Sequence, residues 1–113
     1  MDEARGERGR RIGLNEAVFR EFNERLETAA RSLDLRMLDL VCECGDAGCD
    51  ERIAMSVEEY EQLRSNPLHF AMVAGHELAG VETVVERKGT YNVIRKSVGE
   101  PAELARETDP RSS

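Results

Sequence analysis

The stretch Val41-Cys42-Glu43-Cys44-Gly45-Asp46-Ala47-Gly48-Cys49 holds every cysteine of the chain. The three thiols are spaced C-x-C-x4-C, with Gly45 and Gly48 between the second and third. Glycines there allow positive φ and a sharp reversal of the backbone, which would let three thiolates converge on one point. Zinc is the usual ion at such a point, because its d¹⁰ shell accepts tetrahedral sulfur and nitrogen donors without a redox requirement. Three sulfurs leave one ligand to be supplied from elsewhere.

The flanks of this knuckle set the fold. Leu35 to Val41 is apolar except for Arg36 and Asp39 and predicts a strand that delivers Cys42 and Cys44. Arg52-Ile53-Ala54-Met55 predicts a short strand returning from it, so that a hairpin carries the metal at its tip. Ser56-Val57-Glu58-Glu59 is a capping box, with Met55 and Tyr60 placed as a hydrophobic staple. The helix it opens runs through Leu63 to about Ser65 and stops at Asn66-Pro67, since proline disfavours a helical residue before it.

Beyond it, Leu68 to Val73 alternates as a strand and Ala74-Gly75-His76-Glu77 turns away. Val81, Thr83 and Val85 alternate with Glu82 and Glu86. The turn Lys88-Gly89-Thr90 and the β-prone Tyr91-Asn92-Val93-Ile94 then complete a hairpin. Upstream, Leu14, Val18, Phe22, Leu26, Ala29 and Leu33 recur at helical steps and predict an amphipathic helix with this stripe on the core. Asn15 is placed to cap it, with Leu14 and Phe19 as a staple, and Arg20, Glu21, Glu24, Arg25 and Glu27 cover the wet face. Residues 1–13 read as a flexible arm and 98–113 as a flexible tail, with a turn or two of weak helix at Ala102 to Glu107. The expectation is an α+β fold: a small antiparallel sheet, an N-terminal amphipathic helix and a short second helix. Residues 14–97 form a single zinc-stabilised domain.

Composition agrees with a small metal-supported core. The chain has 113 residues, enough for one domain, with no Trp, three Phe and two Tyr. A structural zinc site, whose apparent binding free energy of roughly 10–16 kcal/mol counts as folding energy, offsets that thin aromatic supply. No run approaches the 18 or so apolar residues of a membrane span, and the charged amino terminus lacks a signal-peptide core. An odd number of crowded cysteines suits a reducing compartment, so a cytoplasmic location is expected.

The candidates for the fourth ligand are His69 and His76, the only histidines. His76 follows Gly75 at a turn, where its direction is adjustable; His69 lies inside a strand, its side chain fixed by the pleat. Cys42, Cys44, Cys49 and His76 are therefore assigned, with His69 in reserve and a carboxylate (Asp46, Asp50 or Glu77) as another way to close the site. The second nitrogen of His76 should meet an outer-shell acceptor, Glu77 or Asp46. The polar neighbours Glu43, Gly45, Asp46, Gly48 and Asp50 argue that these thiols are not packing residues.

No catalytic constellation emerges. Gly75-His76-Glu77-Leu78 resembles the start of H-E-x-x-H, but Gly80 replaces the second histidine. Neither a Ser/His/Asp spacing nor a phosphate-cradling glycine loop is present. The segments CECGDAGCDERI, SVEEYEQLRSNPLHF and GHE…VETVVERKGTYNVIRK resemble a family of small uncharacterised proteins from high-GC actinobacteria, over about Asn15 to the Thr108-Asp109-Pro110-Arg111 segment. That resemblance implies that the knuckle and the GHE turn belong to one module, which favours His76. It carries no settled activity.

Three functions are compatible with these residues. One is a regulatory or adaptor module with a structural metal, binding a protein partner. Between Asp39 and Glu61 eight acids face one base, Arg52, a composition suited to a basic surface. The second is a sensor, whose thiolates release zinc on oxidation or hold an iron–sulfur cluster instead. The third is nucleic-acid binding through Arg5, Arg8, Arg10 and Arg11; the net charge of −7 and the interspersed Asp2, Glu3 and Glu7 oppose it. No membrane partner is expected.

Overall fold

The structure, a computed structural model, describes residues 2–111, and of residues 2–8 the backbone only. The chain runs α1 (Asp2–Ser32), β1 (Met37–Val41), β2 (Arg52–Ser56), α2 (Val57–Arg64), β3 (His69–Val73), β4 (Glu82–Arg87), β5 (Tyr91–Lys96) and α3 (Glu100–Glu107). It is an α+β fold with two antiparallel sheets in place of the single one expected. One is the β1–β2 hairpin, the other has the order β3-β5-β4.

The hairpin forms as its pattern predicts. Leu38 and Leu40 alternate inward on β1, Ile53 and Met55 on β2, and the register pairs Val41 with Arg52, so the knuckle forms the connection at the hairpin tip. The capping box is intact: the Glu59 amide donates to Ser56 Oγ and the Ser56 amide to Glu59 Oε1, both at 3.0 Å. Tyr60 and Leu63 of α2 pack inward with Phe70, Ala71 and Met72 of β3 and Ile94 of β5. In β4 the bulge between Val84 and Glu86 leaves Val85 exposed, while Glu82 points inward. That is the reverse of the expected alternation, because Glu82 has a buried cation to meet.

The expected arm is helical, and in the expected tail the weak helix placed at Ala102 to Glu107 forms with slightly wider bounds. Residues 2–13 belong to α1, whose long amphipathic segment carries the helix through them; Met1, Ser112, Ser113 and the side chains of Arg5 and Arg8 lie outside the described residues. Asn15 is consequently in mid-helix and caps nothing. Residues 100–107 form α3, opened by Pro101 in the first turn and docked through Ala102 and Ala105.

The larger correction concerns the face of α1. Leu14, Val18, Phe22 and Leu33, expected in the core, are 44%, 63%, 46% and 70% exposed. The buried face is Glu16, Ala17, Arg20, Asn23, Glu27 and Ala30. Its polar members have the same helical spacing as the apolar stripe, and each has a partner across the fold. Glu16 pairs with Lys96, which also bonds Glu82 at 2.5 Å. Arg20 donates to the carbonyls of Pro67 and Ala105, each at 2.7 Å, closing the end of α3, and lies over the Phe70 ring. Asn23 donates to the Val41 carbonyl at 2.8 Å and accepts from the Val41 amide at 2.9 Å, continuing the β1 ladder with a side chain. Buried polar groups stand at little cost only when satisfied; Glu16 Oε2, Arg20 Nε and Glu27 Oε2 are the atoms of this face left without a partner among the described residues.

Candidate metal centre

Each donor reaches the knuckle by a separate local device. The Cys42 amide donates to the Glu51 carbonyl at 3.1 Å, extending the hairpin by one rung. The Glu43 amide then donates to the Ala71 carbonyl at 2.9 Å, which ties the knuckle to the second sheet. Asp46 closes the tip: its Oδ1 accepts from the Gly48 amide at 2.8 Å and its carbonyl from the Cys49 amide at 3.0 Å. His76 comes from the turn after β3, where Gly75 has φ 94° and lets the chain swing back.

Gly45 and Gly48 do not take the positive φ expected of them; among the described residues such glycines are 75, 80, 89 and 99. Gly45 is required for a different reason. A Cβ there would lie 2.0 Å from Ile12 Cγ2 of α1, so the absence of a side chain lets the helix press against the knuckle. Asn15 Nδ2 fixes that approach by donating to the Gly45 carbonyl at 3.0 Å.

The ligand atoms of Cys42, Cys44, Cys49 and His76 lie within 4.8 Å of one another. His76 Nδ1 is 3.5 Å from Cys42 Sγ and 3.7 Å from Cys49 Sγ. A tetrahedral ion with metal–sulfur bonds of about 2.3 Å and metal–nitrogen bonds of about 2.0–2.1 Å requires a sulfur–nitrogen edge of about 3.5 Å. The observed edges fit that requirement. The other ring nitrogen, Nε2, meets Glu51 Oε2 at 3.1 Å, so the outer-shell carboxylate is Glu51 and not the expected Glu77 or Asp46. Glu77 instead accepts from Asn92 at 3.1 Å. His69 stays away from the cluster on β3, where its Nε2 meets Asn66 Nδ2 at 3.3 Å.

Cys42 and Cys44 are buried and Cys49 half-buried. Burial pushes the thiols of Cys42 and Cys44 above their ordinary range, only partly offset at Cys42 by the Val73 amide, which donates to Sγ at 3.2 Å. A cation beside them compensates the burial of Cys42 and Cys44 as thiolates, so this donor set suits a metal ion.

Sequence reasoning missed the residue that holds the knuckle in place. By type and neighbours Glu43 belongs to a solvated loop, yet it is 0% exposed. Its Oε1 accepts from Arg64 Nη2 at 2.6 Å and the Ala71 amide at 3.0 Å, and its Oε2 from Asn23 Nδ2 at 2.8 Å. The acid between the first two cysteines therefore locks the site to α1, α2 and β3. The one available signal is the helical spacing of Asn23 with Arg20 and Glu27.

Among the described residues no helix is long and apolar enough to cross a membrane. Compared with protein-family models, curated proteins and solved structures, the chain matches none of them, and the metal centre rests on its own geometry.

Proposed function

We propose that this is a small regulatory or adaptor module that binds zinc at Cys42, Cys44, Cys49 and His76 and presents its surface to a protein partner. The observation that carries the metal reading is the convergence of three sulfurs and one ring nitrogen within 4.8 Å of one another, with the His76 edges to Cys42 and Cys49 at tetrahedral length. Four protein donors make a closed set of the structural kind, in contrast to catalytic zinc sites, which keep a position for water. Zinc suits the mixed S₃N donors and needs no inorganic sulfide.

A protein partner is supported by the exposed Leu14, Val18 and Phe22 on one side of α1, since clustered exposed apolar side chains mark contact surfaces more often than chance. The net charge of −7 disfavours phosphate backbones as the partner. The test is elemental analysis of freshly reduced protein purified without added metal, with its visible spectrum. One zinc per chain and no visible absorption are expected. Iron with sulfide and a visible band would replace zinc by a cluster and the adaptor by a sensor. A metal ratio near zero would remove the site altogether.

A further inference from the structure

A second constellation stands apart from the metal, where α1, α2 and the segment after α3 meet. Glu24 and Glu27 of α1, one turn apart, and Glu61 of α2 present three carboxylates to one guanidinium, that of Arg111. Its Nε donates to Glu24 Oε1 at 2.5 Å, Nη1 to Glu61 Oε2 at 2.5 Å and Nη2 to Glu27 Oε1 at 3.5 Å. The cup does not depend on Arg111 for its shape. The buried Tyr60 hydroxyl donates to Glu24 Oε2 at 2.8 Å. Arg31 donates to Glu61 Oε1 at 2.6 Å and lies 3.9 Å from Glu27.

The floor of the cup is under-supplied. The Glu27 side chain is 4% exposed, and its buried Oε2 receives no donor. An unpaired buried carboxylate oxygen is costly, and the third Arg111 contact is the longest of the three. Arg111 lies at the mouth of the cup: its side chain is 31% exposed, and its amide donates to Asp109 Oδ1 at 3.1 Å in a turn beyond α3. Three carboxylates around one plane match the five-donor fork of arginine; a lysine ammonium offers a point charge with no such fork.

We propose that Glu24, Glu27 and Glu61 form a receptor site for the guanidinium of an arginine carried by a basic segment of a protein partner, with Arg111 as its resident stand-in. The proposal rests on the protein-partner part of the reading above and not on the metal. A partner arginine that takes the place of Arg111 can turn a donor toward the oxygen of Glu27 that has none. Displacement releases the Arg111 guanidinium from the three carboxylates.

The test titrates the full chain, purified reduced and without added metal, and its Arg111→Ala variant with N-acetyl-arginine amide and with the lysine analogue, followed by amide shifts of Tyr60 and Glu61. Competition by a resident ligand reduces apparent affinity by the fraction of open sites, so the variant should bind the arginine probe about tenfold more tightly than the parent chain. The lysine probe should bind more weakly to both, and adding Glu61→Gln to the variant should abolish the gain. Equal affinity of parent and variant, or equal affinity for both probes, overturns the site. Zinc content measured on the same samples separates the two ideas. One zinc per chain without arginine selectivity sinks this site alone, and arginine selectivity without zinc sinks the metal reading alone.

Discussion

The β1–β2 hairpin and the inner face of α1 are buried by opposite means. The hairpin covers itself with Leu38, Leu40, Ile53 and Met55, and only its tip carries chemistry. The inner face of α1 is polar, and its Glu16, Arg20, Asn23 and Glu27 find partners on β1, β5, α3 and the connecting segments. Apolar burial stabilises almost any arrangement that excludes water, whereas an ion pair in the interior stabilises only the one arrangement that satisfies it. The hairpin therefore supplies general adhesion, and α1 specifies where the knuckle, both sheets and α3 sit relative to one another. Phe70 stands at the crossing, with Arg20, Arg64 and Lys96 within 4.5, 5.8 and 5.4 Å of its ring centre.

The largest expected effect comes from removing the metal. Chelation, or Cys44→Ser, should unfold the hairpin and the knuckle-facing half of α1, because binding worth roughly 10–16 kcal/mol is folding free energy in modules of this kind. Far-ultraviolet circular dichroism with and without chelator checks it. A chain that keeps its spectrum and melting temperature without metal would show that the α1 network alone holds the fold. The comparison would then tilt wholly to the ionic side.

The two regions also differ in how far the sequence discloses them. The hairpin and the capping box at Ser56 are written in adjacent residues: alternation on each strand, a Ser and a Glu three apart. The gathering of Cys42, Cys44, Cys49 and His76 likewise follows from crowded thiols and a histidine after a glycine turn. The burial of α1 is written in pairs separated by 80 positions, Glu16 with Lys96, or 85, Arg20 with the Ala105 carbonyl. Periodicity alone cannot rank the stripe Glu16, Arg20, Asn23, Glu27 above Leu14, Val18, Phe22, since both have helical spacing, and hydrophobicity favours the stripe that is exposed. Glu43 is hidden for the same reason: its partner Arg64 is a surface residue by type and core only by contact.

Next in size is the breaking of the ionic side from one end. Lys96→Met leaves Glu16 and Glu82 facing each other in a dry site and should cost about 3–5 kcal/mol, the usual penalty for orphaning a buried charge. Replacing the whole set, Glu16→Met with Glu82→Gln and Lys96→Met, should recover most of that loss. The side-chain amide oxygen introduced at position 82 would still accept from the Leu78 amide, which Glu82 now does at 2.7 Å. Denaturant melts of the two variants decide the point. If the triple variant is no more stable than the single one, the network contributes net stability and not specificity alone.

A smaller step probes the seam between the regions. Gly45→Ala drives a methyl into Ile12 and should cost about 1–3 kcal/mol, the range for overpacking, with zinc stoichiometry unchanged. Adding Ile12→Ala should return only part of it, because the Cβ at position 12, 2.9 Å away, and the backbone carbonyl, 3.0 Å away, remain against the new methyl. Loss of zinc in Gly45→Ala, or no rescue by the second change, would mean that the backbone at Gly45, and not its contact with the helix, governs the site.

The last expected effect is a slope. Burial pushes the Glu16 carboxyl up to about 9, and Glu82 beside it is held below its ordinary range, although burial opposes this, by the proton on Glu16 and by Lys96. The pair thus keeps one proton and one negative charge against one ammonium. Unfolded, Glu16 would titrate near 4.5, so from there to about pH 9 the folded chain holds a proton that the unfolded chain has released. Stability from this group is complete below the unfolded value and is lost as pH rises toward 9. Glu27, also raised by burial, to about 7, adds a fall that ends earlier. Zinc binding works the other way, because thiolates form more easily at high pH, so the parent chain alone does not isolate the carboxyl. Glu16→Gln keeps the shape of the protonated acid and removes its titration. The difference in melting temperature between variant and parent, both zinc-loaded, should therefore move in favour of the variant from pH 6 to pH 9, with the metal contribution cancelling. A difference that stays constant would mean that Glu16 is ionised throughout, with Lys96 balancing two carboxylates at once, and the inner face of α1 would then carry a net charge into the core.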